Sequence, residues 1–322
     1  MRYKLSAPAT LHTTIQLPAS KSISNRALIL HALAQGHIAP SNLSDCDDTR
    51  VMIKALDGNP GHIDILAAGT AMRFLTAYLS VTPGTRIITG TERMQQRPIR
   101  ILVDALRELG AQIEYAGKEG FPPLRITGTE LTGEEISLAG NVSSQYISAL
   151  LMIGPILKNG LRLNLTGEII SRPYINLTLQ LMKEFGADAA WSSESSITVR
   201  PEKYRDIPFT VESDWSGASY WYQMVALIQD NEKKESTKTE IKLPGLLPHS
   251  YQGDSRGAEI FAKLGVHTTY TDQGVVLTKM GTPVTCLKED LVDIPDLAQT
   301  FVVTCCLMNI PFRFTGLQSL KI

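Results

Sequence analysis

Cysteine is scarce in this 322-residue sequence: four residues, at positions 46, 286, 305 and 306, none in a Cys-x-x-Cys pair. That excludes a disulfide framework and a thiolate-held metal, and it fits a reducing, cytoplasmic setting. Cys305 and Cys306 stand in an apolar run and read as buried packing. The six histidines form no constellation, so no metal site is expected. Charge of one sign is also lacking, with 31 basic residues against 32 acidic. That balance gives no reason to expect a nucleic-acid or membrane-surface partner. The longest apolar run, 301–312, is interrupted by Thr304, Asn309 and Pro311 and falls short of the ~20 residues that span a bilayer. Between Met1 and His12 there is no apolar stretch of the signal-peptide kind.

What is present is repetition. Ala105 to Tyr115, Gln180 to Ala190 and Ala258 to Thr268 each read as an amphipathic helix closed by glycine and followed by a strand, with 76 residues from Gly110 to Gly186 and 79 from Gly186 to Gly265. Glycine ends a helix in the left-handed conformation without a Cβ penalty. Hairpins are expected over 114–126, 189–199 and 268–277. The other half of the unit repeats too, as a polar opening into an apolar helix at Ser20, Ala68, Asn141, Asp214 and Asp293. In the first unit, 56–66 leaves little room for a hairpin. The fifth stops at a strand over 312–322, before a second helix, so the chain reads as truncated within a repeat. Alternating helices and strands predict an α/β architecture of repeated βαβαββ units. Two lobes are expected: a continuous one of three units, 21–209, and a discontinuous, incomplete one, 1–20 plus 210–322. In this division the first strand, 3–17, completes the second lobe. The charged stretch 229–240 reads as an exposed loop.

Each first helix opens on small hydroxyl residues or glycine. A helix N-terminus offers unpaired N–H groups and a partial positive charge, which suit an anion. Ser22, Ser24, Gly69, Thr70, Ser143 and Ser144 stand at such openings, with Lys21, Arg26 and Arg73 within one or two turns. Arg97 follows a predicted strand and precedes the next helix. Plainer readings remain beside these: the serines as ordinary caps, Asp296 as the cap of a helix opening at Leu297, Arg73 and Arg97 as surface ion pairs, and Arg172 and Tyr174 as solvated face and packing. Residue type and spacing alone define a repeat α/β protein with anion-binding helix starts.

The order of the segments says more. Leu17-Pro-Ala-Ser-Lys-Ser-Ile-Ser-Asn-Arg-Ala27 resembles the N-terminal signature of the 5-enolpyruvylshikimate-3-phosphate (EPSP) synthases. Ala68-Gly-Thr-Ala-Met-Arg-Phe74, Arg93-Met-Gln-Gln-Arg-Pro-Ile99, Val142-Ser-Ser-Gln-Tyr146, Ser171-Arg-Pro-Tyr174 and Asp293-Ile-Pro-Asp296 are similar to the later motifs of that family, in order, across essentially the whole chain. The resemblance implies a two-lobed enolpyruvyl transferase fold, an inside-out α/β barrel with helices inside and sheets outside. The substrates would lie in the cleft between the lobes. It implies a transferase of aromatic amino acid (chorismate) biosynthesis that moves the enolpyruvyl group of phosphoenolpyruvate to the 5-hydroxyl of shikimate 3-phosphate. The hydroxyl adds to C2, the methylene is protonated, and the tetrahedral intermediate then loses phosphate. No cofactor, metal or covalent enzyme intermediate is implied, and the protein is expected to be a monomer.

The resemblance also implies roles. Lys21 would bridge both ligands. Ser22 and Arg26 would hold shikimate 3-phosphate, Arg26 at its carboxylate. Ser143, Ser144 and Ser171 would take its phosphate, with Tyr174 lining that site and Gln145 between the ligands. Gly69 and Arg97 would take phosphoenolpyruvate, with Arg73 nearby, and Asp296 would hydrogen-bond the 5-hydroxyl and act as base. Both substrates carry a phosphate and a carboxylate, so binding them together needs fixed cations and donors. Two positions depart from the common pattern: Ala67 and Ser319 stand where many members have Asn. Ser319 is retained as a weaker candidate at the shikimate 3-phosphate site. The family continues past the position of Ile322 with Lys-Glu-Ser/Thr-Asp-Arg, which carries a further carboxylate and two cations. The chain as given is therefore expected to be inactive and its second lobe incompletely packed. The alternatives are the sister transferase acting on UDP-N-acetylglucosamine, whose loop cysteine has no counterpart here, and a non-catalytic ligand-binding remnant.

Overall fold

A computed structural model describes residues 4, 11–58, 60–228 and 239–320, with only the backbone of Ser319. The chain divides into a continuous unit, Ala19–Val211, and a discontinuous one, Met1–Pro18 with Glu212–Ile322. Of the strand expected over 3–17, β1 (His12–Thr14) is described; residues 1–3 and 5–10, and 229–238 of the charged stretch, lie outside the described residues.

The continuous unit runs α1 (Lys21–Leu33), α2 (Asp47–Leu56), β2 (His62–Asp64), α3 (Gly69–Val81), β3 (Gly84–Thr89), α4 (Glu92–Gln95), α5 (Arg100–Glu108), β4 (Gln112–Tyr115), β5 (Leu124–Gly128), β6 (Glu135–Ala139), α6 (Ser144–Ile153), β7 (Leu161–Thr166), α7 (Arg172–Glu184), β8 (Ala189–Trp191) and β9 (Ser196–Val199). The discontinuous unit adds α8 (Trp215–Leu227), β10 (Glu240–Pro244), α9 (Gly257–Ala262), β11 (Val266–Thr271), β12 (Gly274–Lys279), β13 (Leu287–Asp290), α10 (Ala298–Leu307) and β14 (Phe312–Thr315) to β1.

Three sheets share one topology: β2-β3-β5-β4, β6-β7-β9-β8 and β1-β10-β12-β11. In each, the first pair is parallel and the other two pairs are antiparallel. A parallel pair needs a crossover; α3 supplies it between β2 and β3, and α6 between β6 and β7. β13 and β14 form a fourth, parallel pair about α10. The stretch 56–66 holds one strand, β2, and no hairpin. The strand expected over 312–322 is shorter than its range, ending at Thr315.

Burial explains the layering. A helix apolar all round is an internal helix. Every residue of α3 except Tyr78 and Val81 is buried, and α6 is buried from Tyr146 to Ile153. The strands alternate instead: β6 buries only Ile136 and Leu138, so one face of its sheet is wet. The unit thus places helices inside and sheets outside. The glycines that mark the repeat have φ of 99° at Gly110, 91° at Gly186 and 83° at Gly265. At the first two, the following N–H reaches back to the helix, Ala111 to the Leu106 carbonyl and Ala187 to that of Met182, both at 2.9 Å, which closes the helix end.

The discontinuous unit has its own core, built on an aromatic ladder: Tyr222 to Phe261 at 5.2 Å between ring centroids and Phe261 to Phe301 at 4.8 Å, with Trp215 and Phe314 at its ends. Phe261→Ala should cost about 3–5 kcal/mol. Guanidinium unfolding followed by Trp fluorescence should show that loss; a loss below about 1 kcal/mol would mean the ladder is not the core of this unit. Of the two adjacent cysteines, Cys305 is buried but Cys306 is exposed, because successive residues on a helix point 100° apart. Among the described residues no helix is long and apolar enough to cross a membrane.

Candidate active site

In the continuous unit the N-terminal halves of α1, α3, α6 and α7 are tied together by two buried guanidinium groups. Arg26, 3% exposed, donates to the Ser22 carbonyl on its own helix (2.9 Å), to Ser148 Oγ on α6 (3.1 Å), and to Thr178 Oγ1 (2.7 Å) and the Tyr174 carbonyl (3.5 Å) on α7. It also lies 5.2 Å from the Phe74 ring centroid on α3. Burial pushes its pKa down to about 10, partly offset by Tyr174. Arg73, 5% exposed, donates to the Gly69 carbonyl at 3.0 Å and faces the Tyr146 ring at 5.8 Å. Its Nε has no partner. Burial, and the nearby positive charge of Arg97, pull its pKa down, against the opposing effect of Tyr146.

Gly69 is the first residue of α3. A Cβ there would meet Arg97 Nη1 at 2.6 Å and Arg73 Nη1 at 3.2 Å, so Gly69, Arg73 and Arg97 share one small volume. Gln145, at the start of α6, donates to Thr70 Oγ1 at 3.2 Å, and the Tyr146 hydroxyl donates to the Pro98 carbonyl at 2.8 Å. These two bonds fix α6 against α3 and against the loop that carries Arg97. A one-turn helix, α4, separates that loop from β3, so Arg97 does not follow the strand directly as its sequence predicts; the Thr91 hydroxyl caps α4 through the Met94 N–H.

Three of the four helix starts are open. Ser20 before α1, Ala68 before α3 and Ser171 before α7 make no side-chain cap bond. Ser143 caps α6 weakly, its Oγ accepting from the Gln145 N–H at 3.4 Å. Ser22 and Ser144 are therefore not caps: each stands inside its helix, one residue past the opening position in α1 and at the first position of α6. Ser171 is buried and holds φ 55°, the left-handed region, which a non-glycine residue occupies only when its surroundings impose it. Lys21 begins α1 and is exposed; Tyr174 is half-buried one turn into α7. Arg172 turns outward, over the Trp191 ring at 4.2 Å. No carboxylate pairs with Lys21, Arg26, Arg73 or Arg97 among the described residues.

The structure thus brings Ser22, Arg26, Ser148, Tyr174 and Thr178 together, and Gly69, Arg73, Arg97, Thr70 and Gln145 together. Thr70, Tyr146, Ser148 and Thr178 were not singled out as site residues by the sequence. Thr70 stood in a recognised helix opening, while nothing in the spacing distinguishes Ser148 or Thr178 from ordinary helix interior.

Asp296 and Ser319 belong to the discontinuous unit. Asp296 is exposed, in the 3-10 turn Pro295–Leu297. It does not occupy the cap position of α10; Leu297 does, since Pro295 fixes φ and starts a tighter turn one residue earlier. Ser319 lies in the turn Gln318–Leu320, its side chain outside the described set. Near the start of α8 in the same unit, Asp214 caps through the Ser216 and Gly217 N–H groups, at 2.8 and 3.2 Å.

Solved structures of EPSP synthase from Acinetobacter baumannii share this fold. Two superpose with a TM-score of 0.60 at 16% identity, over 95% and 96% of this chain and 92% and 93% of theirs. Repeated units with helices inside and sheets outside, shared with these structures, place the chain in the enolpyruvyl transferase fold class. The family model described as EPSP synthase (3-phosphoshikimate 1-carboxyvinyltransferase) matches residues 5–58 and 59–322. The chain belongs to the EPSP synthase family. Two Bacteroides fragilis proteins named 3-phosphoshikimate 1-carboxyvinyltransferase are 72% identical over all 322 residues, which span 77% of their length. A protein of the same name from Pseudoalteromonas atlantica is 37% identical over 93% of this chain and 74% of its own.

Proposed function

We infer that the reaction this chain's site serves is the one its relatives are named for, a 3-phosphoshikimate 1-carboxyvinyltransferase reaction that joins phosphoenolpyruvate to shikimate 3-phosphate and releases phosphate. Family membership supports the reaction. The observation that carries the site is the set of helix starts around Arg26 and Arg73, those of α1, α3 and α7 uncapped by a side chain, with two buried cations that have no carboxylate partner among the described residues. Such an arrangement is costly in an empty protein and is compensated by a bound anion.

In this reading Lys21 meets both ligands and takes part in the chemistry. Ser22 and Arg26 hold shikimate 3-phosphate, with Ser143, Ser144, Ser171 and Tyr174 around its phosphate. Gly69, Arg73 and Arg97 receive phosphoenolpyruvate, and Gln145 serves both. Gly69 leaves the α3 N–H groups open to an anion's oxygen because it has no Cβ. Asp296 is the base for the 5-hydroxyl, with Ser319 a further contact. Unpaired cysteines support a cytoplasmic setting; the monomeric state belongs to the same proposal and is checked by light scattering.

Calorimetric titration separates the readings. Shikimate 3-phosphate should bind this chain with one-to-one saturation, and UDP-N-acetylglucosamine should not. Saturable binding of the nucleotide sugar with none of shikimate 3-phosphate would overturn the assignment.

A further inference from the structure

Ser148 and Thr178 are both 0% exposed and stand in helix interiors, within α6 and α7. A hydroxyl so placed commonly bonds back to the carbonyl four residues earlier. Thr178 does this, donating to the Tyr174 carbonyl at 2.9 Å. That uses its one hydrogen, so in the 2.8 Å contact between the two hydroxyls Ser148 is the donor. Both oxygens are left with lone pairs for one neighbour. Arg26, from α1, donates through Nε to Thr178 Oγ1 at 2.7 Å and through Nη2 to Ser148 Oγ at 3.1 Å. One edge of the guanidinium is thus gripped by two oxygens from two helices, as a carboxylate would grip it, but without a negative charge.

A carboxylate on that edge would cancel the charge of Arg26. Neutral oxygens fix the plane of the guanidinium and leave the charge in place. A guanidinium carries five N–H donors, and four of those on Arg26 are directed at protein acceptors. The fifth, on Nη1 beside the Ser22 carbonyl, has no partner among the described residues. We propose that Ser148 and Thr178 are positioning residues, whose hydroxyls hold Arg26 in one orientation and keep its charge and one Nη1 hydrogen for an anionic ligand. Neither touches the ligand; both act through Arg26. A long side chain held in this way loses its rotamer freedom on folding rather than on binding.

Arginine Nε–H NMR of the wild-type chain, with Arg26→Met to assign the signal, should show the Arg26 Nε–H protected from solvent exchange. Thr178→Val keeps the side chain's shape and removes its oxygen, and should speed that exchange by about 10-fold or more. Unchanged exchange would overturn the proposal. Affinity for shikimate 3-phosphate is the second arm; that choice of anion rests on the functional reading above, and the hydroxyl grip does not. Thr178→Val should weaken binding about 10-fold, the cost of ordering one long side chain on association. Thr178→Ser, which returns the oxygen, should recover to within about threefold of wild type. In the Arg26→Met background Thr178→Val should cost less than about threefold, since no guanidinium is left to hold. Equal losses in both backgrounds, or Thr178→Ser binding as weakly as Thr178→Val, would reduce Thr178 to packing and refute the assignment. Ser148→Ala, which removes the other oxygen, repeats both measurements should Thr178→Val not fold. If shikimate 3-phosphate does not bind the wild type while the exchange result holds, the substrate assignment falls and the positioning of Arg26 stands.

Discussion

Replacing Arg26 by Met should leave the chain folded yet reduce its affinity for shikimate 3-phosphate by about 100-fold. Two opposing terms set the stability. Bringing the Arg26 pKa from 12.5 to about 10 reflects a burial cost of about 3 kcal/mol, which Met does not bear. Against this, four hydrogen bonds are lost, each worth about 0.5–1.5 kcal/mol. The acceptors are not stranded: Ser148 and Thr178 remain bonded to each other at 2.8 Å, and Thr178 donates to the Tyr174 carbonyl at 2.9 Å. The straight side chain of Met also fills most of the Arg stem's volume. The net change should be within about 2 kcal/mol on these figures. Binding has no such offset, because removing one member of a desolvated ion pair costs about 3 kcal/mol, or ~100-fold. Thermal unfolding and calorimetry on the same sample check both halves. A variant that unfolds but, where folded, binds normally would make Arg26 purely structural.

Gly69→Ala should have the second-largest effect, and it should fall on the other ligand. The new methyl would meet Arg97 Nη1 at 2.6 Å and Arg97 Cζ and Arg73 Nη1 at 3.2 Å. Guanidinium tips can move, so the fold survives, but Arg97 must leave its present position. The methyl also covers the first-turn N–H groups of α3, where an anion's oxygen would sit. Affinity for phosphoenolpyruvate, titrated into chain saturated with shikimate 3-phosphate, should fall by ~30-fold or more, about 2 kcal/mol. Affinity for shikimate 3-phosphate alone should stay within about threefold, since none of its proposed contacts is on α3. Arg97→Ala should reproduce the selective loss. A larger loss for shikimate 3-phosphate than for phosphoenolpyruvate would reverse the assignment of the two anion sites.

The legible features were those set by local backbone chemistry. Gly110, Gly186 and Gly265 marked the repeat because a helix that must turn into a strand needs a left-handed residue there, and all three adopt it. The hairpins over 114–126, 189–199 and 268–277 followed from the same spacing, and β4–β5, β8–β9 and β11–β12 form them. That the first strand completes the second lobe was legible by elimination; its partner there, β10, more than 200 residues away in sequence, was not.

Burial and long-range hydrogen bonding were not legible. A lone arginine in a helix usually faces solvent, and nothing around Arg26 in sequence reveals Thr178, 152 positions away. Asp254 sits in Gln252-Gly253-Asp254, a stretch with no helical or strand periodicity, yet it is 5% exposed and accepts from the hydroxyl of Ser216, 38 positions away. Glu212 is similar. It is 8% exposed and accepts from Trp215 Nε1, the Leu247 N–H, Ser250 Oγ and Gln252 Nε2, at 2.9, 2.8, 2.6 and 2.8 Å. Those four donors replace its lost hydration, and three of them come from residues 35 to 40 positions on.

An amide 15N–1H map of this chain titrated with shikimate 3-phosphate tests the anion-binding helix starts most directly. The Ser22, Ser144, Gln145 and Ser171 amides should shift and saturate together, with inorganic phosphate moving the Ser144 and Ser171 signals weakly in the same direction. Saturable shifts confined to residues away from these four helix starts would contradict the account.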